Sequence, residues 1–397
     1  MTVKDIDLKN KRVLIRADFN VPLDDHLNIT DDRRITEALP TIRYVLEQKP
    51  KKVIIMSHLG RPEGKVVEEE RLRPVGKRLQ ELLNEKALCL DDCIGPAVKE
   101  IVEKSNERIV LLENLRFHKG ETKNDPEFAK QLASLGDAYV NDAFGTAHRA
   151  HASTAGITQY LPAVAGLLLE KEIKYLSQAI NNPQKPLVII LGGAKVSDKI
   201  LLIENLLPKA NAILIGGGMA YTFLKAQGIK IGNSLLEADK IDAAKSILEK
   251  AQKAKVEIVL STDYVIVRDF KSPKERRIVA GDITDGWQGV DIGQETWKKF
   301  KEILAKSKTI IWNGPVGVFE IDEYAQGTKE LAQFVAGLKG VTSIVGGGDT
   351  AAAVAKFHCE EGMTHISTGG GASLEFLEGK VLPGIAALRD KKEMAKV

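Results

Sequence analysis

Short apolar runs rich in β-branched residues alternate with helix-patterned stretches along almost the whole chain, which restricts the fold to parallel sheet covered by helices. In the first half, Arg12–Arg16, Lys52–Met56, 109–112 and Ala138–Asn141 read as strands; in the second, Leu187–Leu191, Ala212–Ile215, 256–260, 309–312, 341–345 and 365–367 do. Between them, 74–83 carries Val75, Leu79, Leu82 and Leu83 at helical spacing, and Pro126 behind Asp125 opens another helix. A chain of 397 residues exceeds one ordinary core, so an α/β protein of two lobes is expected, each a mostly parallel Rossmann-like sheet with helices on both faces. The segment 161–180 has a proline near its start and an apolar stripe at helical pitch, and its place between two βα series suggests an interdomain helix ended by the turn 181–186.

Polar residues gather just after the strands of the first half. Arg16-Ala-Asp-Phe-Asn20 ends the first strand, Ser57-His-Leu-Gly-Arg61 the second, Glu113-Asn-Leu-Arg-Phe-His118 the third, and 141–151 the fourth. The carboxyl ends of parallel strands share one edge, where ligands collect. Arg34, Arg61, Arg116 and Arg149, flanked by His58, His118, His148 and His151, would there form a basic pocket for a small anion bearing phosphate or carboxylate. His148 and His151 lack the HExxH pattern or a nearby cysteine set, so a zinc site has no motif behind it.

The second half ends its strands in glycine instead. GGAKVSDK from Gly192, GGGMAYTF from Gly216, GGGDT from Gly346 and GGGASLEF from Gly369 each follow a strand, and NGPVGVFE from Asn313 follows another. Glycine lets backbone approach a ligand closely, and the unpaired amides of a helix start favour anionic oxygens, so this edge suits a polyphosphate nucleotide. No Gly-Lys pair precedes Ser or Thr, which excludes a P-loop, and neither DFG nor HRD of the protein kinases is present. Gly346-x-Gly348-x-x-Ala351 fits the loose dinucleotide fingerprint, but about 20 residues on, where an acidic ribose anchor belongs, the chain reads Thr368-Gly-Gly-Gly371.

A formal net charge of +3 gives no global signal for nucleic acid, and no apolar run has the length to cross a bilayer. The start, MTVKDIDLKNKR, lacks the apolar core of a signal peptide, so a cytoplasmic protein is expected. Cys89, Cys93 and Cys359 are too few and too oddly spaced for a disulfide framework and read as idle thiols.

The ordered motifs RADFNVP, SHLGRP, ENLRFHKGE, NDAFGTAHRAHAS, GGAKVSDK, GGGMAYTF, WNGPVGVFE, GGGDTA and STGGGASLEFLEGK together resemble the phosphoglycerate kinase family across essentially the whole chain. The resemblance implies a two-lobed glycolytic enzyme that exchanges a phosphoryl group between ATP and 3-phosphoglycerate with Mg²⁺. It implies a substrate lobe over 1–168, onto which the tail 383–397 packs back, and a nucleotide lobe over 169–382. On the substrate lobe it marks Asp18, Phe19 and Asn20, His58, Leu59, Gly60 and Arg61, with Arg34, Arg116 and Arg149. On the nucleotide lobe it marks Lys195, Lys199, Gly217, Gly218, Asn313, Pro315, Glu320, Gly347, Gly348, Asp349 and Thr350, with Asp349 as the magnesium ligand and Glu320 at the ribose. Arg34, Lys195, Gly348 and Gly371 would serve the transfer itself; Arg34 is preferred to Arg33 because it directly precedes Ile35. The chemistry agrees, since a carboxylate attacking a γ-phosphate has no proton to lose and needs no general base. Water must be kept from the transferring group, so a hinge near the interdomain helix is expected, in a monomer whose partners are 3-phosphoglycerate and ATP rather than nucleic acid or membrane. The competing readings are a non-catalytic nucleotide-binding protein of the same fold and an NAD-dependent oxidoreductase, the latter weakened by the missing acid.

Overall fold

β-Branched and aliphatic residues fit a pleated surface buried on both faces, and the apolar runs accordingly become parallel strands. In the computed structural model, which describes residues 1–388, β1 (Arg12–Arg16), β2 (Lys52–Met56), β3 (Ala87–Cys89), β4 (Ile109–Leu111), β5 (Ala138–Asn141) and β6 (Ala163–Ala165) form a parallel sheet in the order β3-β4-β2-β1-β5-β6. On one face Val13, Ile15, Val53 and Ile55 pack with Ile35 and Ile42 of the helix Arg33–Glu47 and with Val75 and Leu79 of the helix Arg73–Leu83. The alternate residues Leu14, Ile54 and Val110 are also fully buried, so the sheet is covered on both sides.

A second sheet repeats the plan. β7 (Leu187–Leu191), β8 (Ala212–Ile215), β9 (Glu257–Leu260), β13 (Thr309–Asn313), β14 (Thr342–Gly346) and β15 (His365–Ile366) run parallel in the order β15-β14-β13-β7-β8-β9. Its core joins Val188, Ile190, Leu214, Ile310 and Trp312 to Phe300, Leu331 and Val354 of the covering helices. Beside it β10 (Asp263–Val267), β11 (Arg277–Ala280) and β12 (Gln288–Ile292) make a small antiparallel sheet in the order β11-β10-β12, absent from the sequence reading. The described chain divides into two compact units, Met1–Lys174 with 381–388, and Tyr175–Lys380. Among the described residues no helix is long and apolar enough to cross a membrane.

The expected interdomain helix, 161–180, is corrected at its start. Residues Ala163–Ala165 pair with β5 as β6, and the helix runs from Leu167 to Asn181. Asp142 sets that boundary: its Oδ1 accepts the amides of Leu168 (2.9 Å) and Leu169 (3.2 Å), capping the first turn. Of the expected tail, Pro383–Ala386 forms a helical turn on the first unit, where the Gly384 amide donates to the Ala147 carbonyl at 2.8 Å. Residues 389–397 lie outside the described residues.

Asp291 does for the second unit what Asp142 does for the first. It accepts the Gly327 amide in the first turn of the helix Gln326–Gly337 at 2.7 Å and the Ile292 amide at 2.9 Å. Burial pushes its carboxyl up from 3.8 to about 7, against the pull of those two amides. Between about pH 4 and about pH 7 the folded chain therefore keeps a proton on Asp291 that the unfolded chain releases, so this residue contributes most in acid and loses that contribution as the pH rises through 7. We expect the stability difference between wild type and Asp291→Asn, from urea melts, to move against the wild type over that range and then level off. A pH-independent difference would contradict a buried carboxyl titrating near 7.

Candidate active site

In the first unit, Arg16 pairs in register with Met56 on one side and Asn141 on the other, so the segments after β1, β2 and β5 emerge at one level. They emerge where strand order changes direction around β1, the usual ligand crevice of an open α/β sheet. Asp18 sits there almost fully buried, and its Oδ2 accepts from Arg34 Nη1 at 2.7 Å. Burial raises its carboxyl, but the charges of Arg34 and, at longer range, Arg16 hold it below the ordinary range. The amide of Gly60 donates to Asn20 Oδ1 (2.8 Å), and the carbonyl of Gly60 accepts from Arg116 Nη1 (2.8 Å), which ties three of the motifs together. Arg116 is buried with its Nε unpartnered, and burial together with the charges of Arg16 and Arg149 brings it down to about 10. It stays cationic at neutral pH.

His58 is 3% exposed, and desolvation pushes it well below the usual histidine range; Asp18 opposes this, while Arg16, Arg116 and Arg34 reinforce it. The ring is therefore neutral. Phe19 and Leu59 are core residues: the Phe19 amide donates to Ser57 Oγ at 2.8 Å, and the Leu59 carbonyl accepts from Asn114 Nδ2 at 2.7 Å. Arg149 Nε donates to His148 Nε2 at 3.1 Å. Arg61 is exposed, fixed through its backbone amide to Glu70 Oε1 at 3.1 Å. His118 bonds to Asp92 Oδ1 through Nε2 at 2.6 Å, close to the buried Cys93 thiol.

In the second unit, β7 is flanked by β8 and β13, and Leu191 aligns with both Ile215 and Asn313, while Asn313 aligns with Gly346. The glycine turns thus begin side by side. Gly192 and Gly314 touch backbone to backbone: a Cβ on Gly192 would lie 2.0 Å from the Pro315 carbonyl oxygen, and one on Gly314 2.2 Å from that of Gly192. Gly347, at φ +92°, turns the chain into the helix Gly348–Lys356, whose first amides have no partner within the helix. Thr350 Oγ1 locks this turn to its neighbour by donating to the Gly346 carbonyl (2.9 Å) and accepting the Gly314 amide (2.7 Å).

A cleft of about 370 Å³ opens between these turns. Lys195, Lys199, Asn313, Gly347, Gly348, Asp349, Thr350 and Gly371 all line it, whereas Gly217, Gly218, Pro315 and Glu320 do not. Gly217 and Gly218 pack behind its wall against Gly193 and Ala194, and the Pro315 carbonyl accepts the Gly193 amide at 2.9 Å. Glu320 is exposed on the loop after β13, its carbonyl 3.3 Å from Lys356 Nζ. Burial lowers the Lys199 ammonium, with Asp198, Asp349 and Glu378 acting the other way. Asn313 is 1% exposed, and its Nδ2 has no partner.

The family model described as phosphoglycerate kinase matches residues 3–380. The chain belongs to the phosphoglycerate kinase family. Phosphoglycerate kinase of Synechococcus elongatus is 57% identical over 97% of this chain and 96% of its own, and that of Thermosipho africanus 55% identical over 99% of each. The solved phosphoglycerate kinase of Coxiella burnetii superposes with a TM-score of 0.87 at 45% identity, and that of Pyrococcus horikoshii with 0.85 at 34%, each over 98% of both chains. Members of this family are phosphate-transferring kinases, so the reading of a catalytic enzyme stands and the non-catalytic alternative does not.

Three residues of this phosphoglycerate kinase pocket escaped the sequence reading. Arg16, Glu121 and Ser153 are wholly buried and bonded in series. Arg16 carried a signal, a cation inside an otherwise apolar strand; Glu121 and Ser153 close two of the quoted motifs, ENLRFHKGE and NDAFGTAHRAHAS, but nothing in residue type or spacing gave them a role. In the second unit, Thr350→Val keeps the shape but strands the Gly314 amide and the Gly346 carbonyl, which should cost about 1–3 kcal/mol in urea unfolding. Thr350→Ser should cost less, and an unchanged midpoint for Thr350→Val would show that the hydroxyl is not the lock.

Proposed function

We propose that the protein catalyses reversible, magnesium-dependent phosphoryl transfer between ATP and the carboxylate of 3-phosphoglycerate, giving ADP and 1,3-bisphosphoglycerate, as a step of glycolysis and gluconeogenesis. The observation that carries the reading is the convergence of four separate glycine-containing motifs on one cleft, with two lysines and the exposed carboxylates of Asp198 and Asp349 among its lining. Backbone amides and ammonium groups of this kind suit the phosphates of a nucleotide. Glu320, outside the cleft lining, is assigned to the ribose, with Gly217, Gly218 and Pro315 along the nucleotide.

The first unit supplies the acceptor site in this reading. Arg34, His58, Arg61, Arg116 and Arg149 bind the phosphate and carboxylate of 3-phosphoglycerate, and Asp18 and Asn20 hold its hydroxyl region. Phe19, Leu59 and Gly60 shape the pocket through their backbones, two of them with side chains in the core. The nucleophile is already an anion, so the protein's task is to hold it in line with the γ-phosphate and to stabilise the charge that spreads over the transferring group. Arg34, Lys195 and the amides of Gly348 and Gly371 are assigned that task. Asp349 fits a magnesium ion: it is an exposed carboxylate beside an anion-binding turn, with Asp198 as a second exposed carboxylate in the same lining, and magnesium takes one or two carboxylates together with phosphate oxygens and water. When bound there, the ion neutralises charge on the phosphates.

We keep hinge closure in the reading, because a phosphoryl group open to water would be lost to hydrolysis. We also assign a monomer in the cytoplasm without nucleic-acid or membrane partners, in keeping with the small net charge of +3. A coupled assay of ATP-dependent 3-phosphoglycerate conversion tests the whole reading, and no turnover with magnesium and both substrates would end it. Arg34→Ala should lower kcat by about 10²–10³ if its charge acts in the transition state. Glu320→Ala should instead raise the KM for ATP with kcat nearly kept. A kcat untouched by Arg34→Ala would remove Arg34 from the transfer step.

A further inference from the structure

A buried chain of polar groups runs behind the acceptor pocket of the first unit. Glu121 is wholly buried, and both of its oxygens accept from Ser153, Oε1 from the hydroxyl at 2.6 Å and Oε2 from the backbone amide at 2.9 Å, with His151 Nδ1 3.7 Å from Oε1. With its proton committed to Glu121, Ser153 Oγ is left as an acceptor, and Arg16 Nε donates to it at 2.8 Å. Arg16 Nη1 donates to the Ala17 carbonyl, and Nη2 lies 3.2 Å from His58 Nδ1. A guanidinium has donors in a rigid fork and no acceptor, so His58 Nδ1 meets it with a lone pair. A proton on Nδ1 would set one N–H against another.

We propose that Glu121, acting through Ser153 and Arg16, is a positioning residue that fixes the His58 ring with its proton on Nε2, ready to donate to an anionic oxygen of the acceptor substrate. This rests on the reading of the first unit as the 3-phosphoglycerate site. Nε2 is the polar atom of the ring for which no protein hydrogen bond is formed, and it is not sealed from solvent. Glu121 also supplies the countercharge for Arg16, which is wholly buried and touches no carboxylate directly. Its own carboxyl is driven up by burial but held below the ordinary range by His151, Arg16 and Ser153. The groups facing His58 are Arg16, Asp18, Arg34 and Arg116; three of these four are cations, so a neutral donor costs less there than an imidazolium. The device delivers a hydrogen bond of fixed direction without adding a further charge.

Long-range ¹H–¹⁵N spectra of enzyme labelled at histidine distinguish Nε2–H, Nδ1–H and imidazolium, with His58→Gln assigning the signals. Wild type at neutral pH should show a single neutral Nε2–H ring whose Nε2 moves on adding 3-phosphoglycerate. Ser153→Ala and Glu121→Gln should mix the tautomers and raise the KM for 3-phosphoglycerate about tenfold, the loss of one well-placed hydrogen bond, with the KM for ATP unchanged. Ser153→Thr, which keeps the hydroxyl, should restore both. An Nδ1–H or imidazolium ring in wild type overturns the proposal, as do an unaltered tautomer and KM in both variants. Should Ser153→Ala fail to fold, the similarly sized Glu121→Gln and the wild-type spectrum still decide it. A His58 signal that stays Nε2–H but ignores 3-phosphoglycerate overturns the acceptor-site reading instead.

Discussion

In-register parallel pairing of β1 with β2 and β5, and of β7 with β8 and β13, decides the level at which the segments after these strands leave their sheets. Side chains alternate along a strand, so a slip of one residue would turn Val13 and Ile15 out of their core and move Asp18 and His58 off their level. In the second unit the turns after β7 and β13 come so close that a side chain on Gly192 or Gly314 is not tolerated. That is why Gly192 and Gly314 meet backbone to backbone at the cleft, and why amides rather than side chains form that wall. The glycine-rich chemistry of the second unit is thus a consequence of sheet geometry as much as of ligand binding.

The first unit meets the same geometry with the opposite solution. Its strand ends carry Arg, His and Asp, and these have to be neutralised before any ligand arrives. Asp18 faces Arg34 directly and Arg16 at longer range, while Glu121 serves Arg16 through Ser153. Both carboxylates are nearly or wholly out of solvent, where an unpaired charge costs several kcal/mol, so they are tolerable because hydrogen bonds and cations surround them. Glu121 comes from a short helix after the third motif and Ser153 from the loop after β5, which makes the pocket a joint between connections distant in sequence.

The long parallel strands were legible because each is a β-branched run between polar turns, and the motifs were legible because Arg, His and Gly stand out at strand ends. β3 and β6 were not, since Ala87–Cys89 holds no β-branched residue and Ala163–Ala165 only one, too little to stand out as a strand. β10 follows β9 after only Ser261 and Thr262, so EIVLSTDYVIV gives no turn signal where the chain changes sheets. The interdomain helix was begun too early because its apolar pattern continues back through β6, and the side chain that ends the ambiguity, Asp142, lies more than 20 residues upstream. Arg34 and Arg116 could be named from residue type and place. Glu121 and Ser153 could not, because they act through Arg16 and nothing local in KGET or AHAST marks that partnership.

The ion pair between Asp18 and Arg34 bears on how an anion would enter the pocket. Arg34 commits Nη1 to Asp18 at 2.7 Å and keeps its other N–H groups, since a guanidinium has five donors. An incoming carboxylate or phosphate can therefore bond to Arg34 without displacing Asp18, and the pair is loaded rather than broken. Asp18 then restrains the fork from the protein side while the ligand engages it from the other, at a position where free rotation of a long side chain would otherwise have to be frozen on binding. Arg61, with an exposed side chain and only its backbone tethered, has no such restraint. The two arginines are equal in charge and unequal in preorganisation, and under the proposed function that is the physical reason to expect more from Arg34 in the transition state and more from Arg61 in the first capture of the anion.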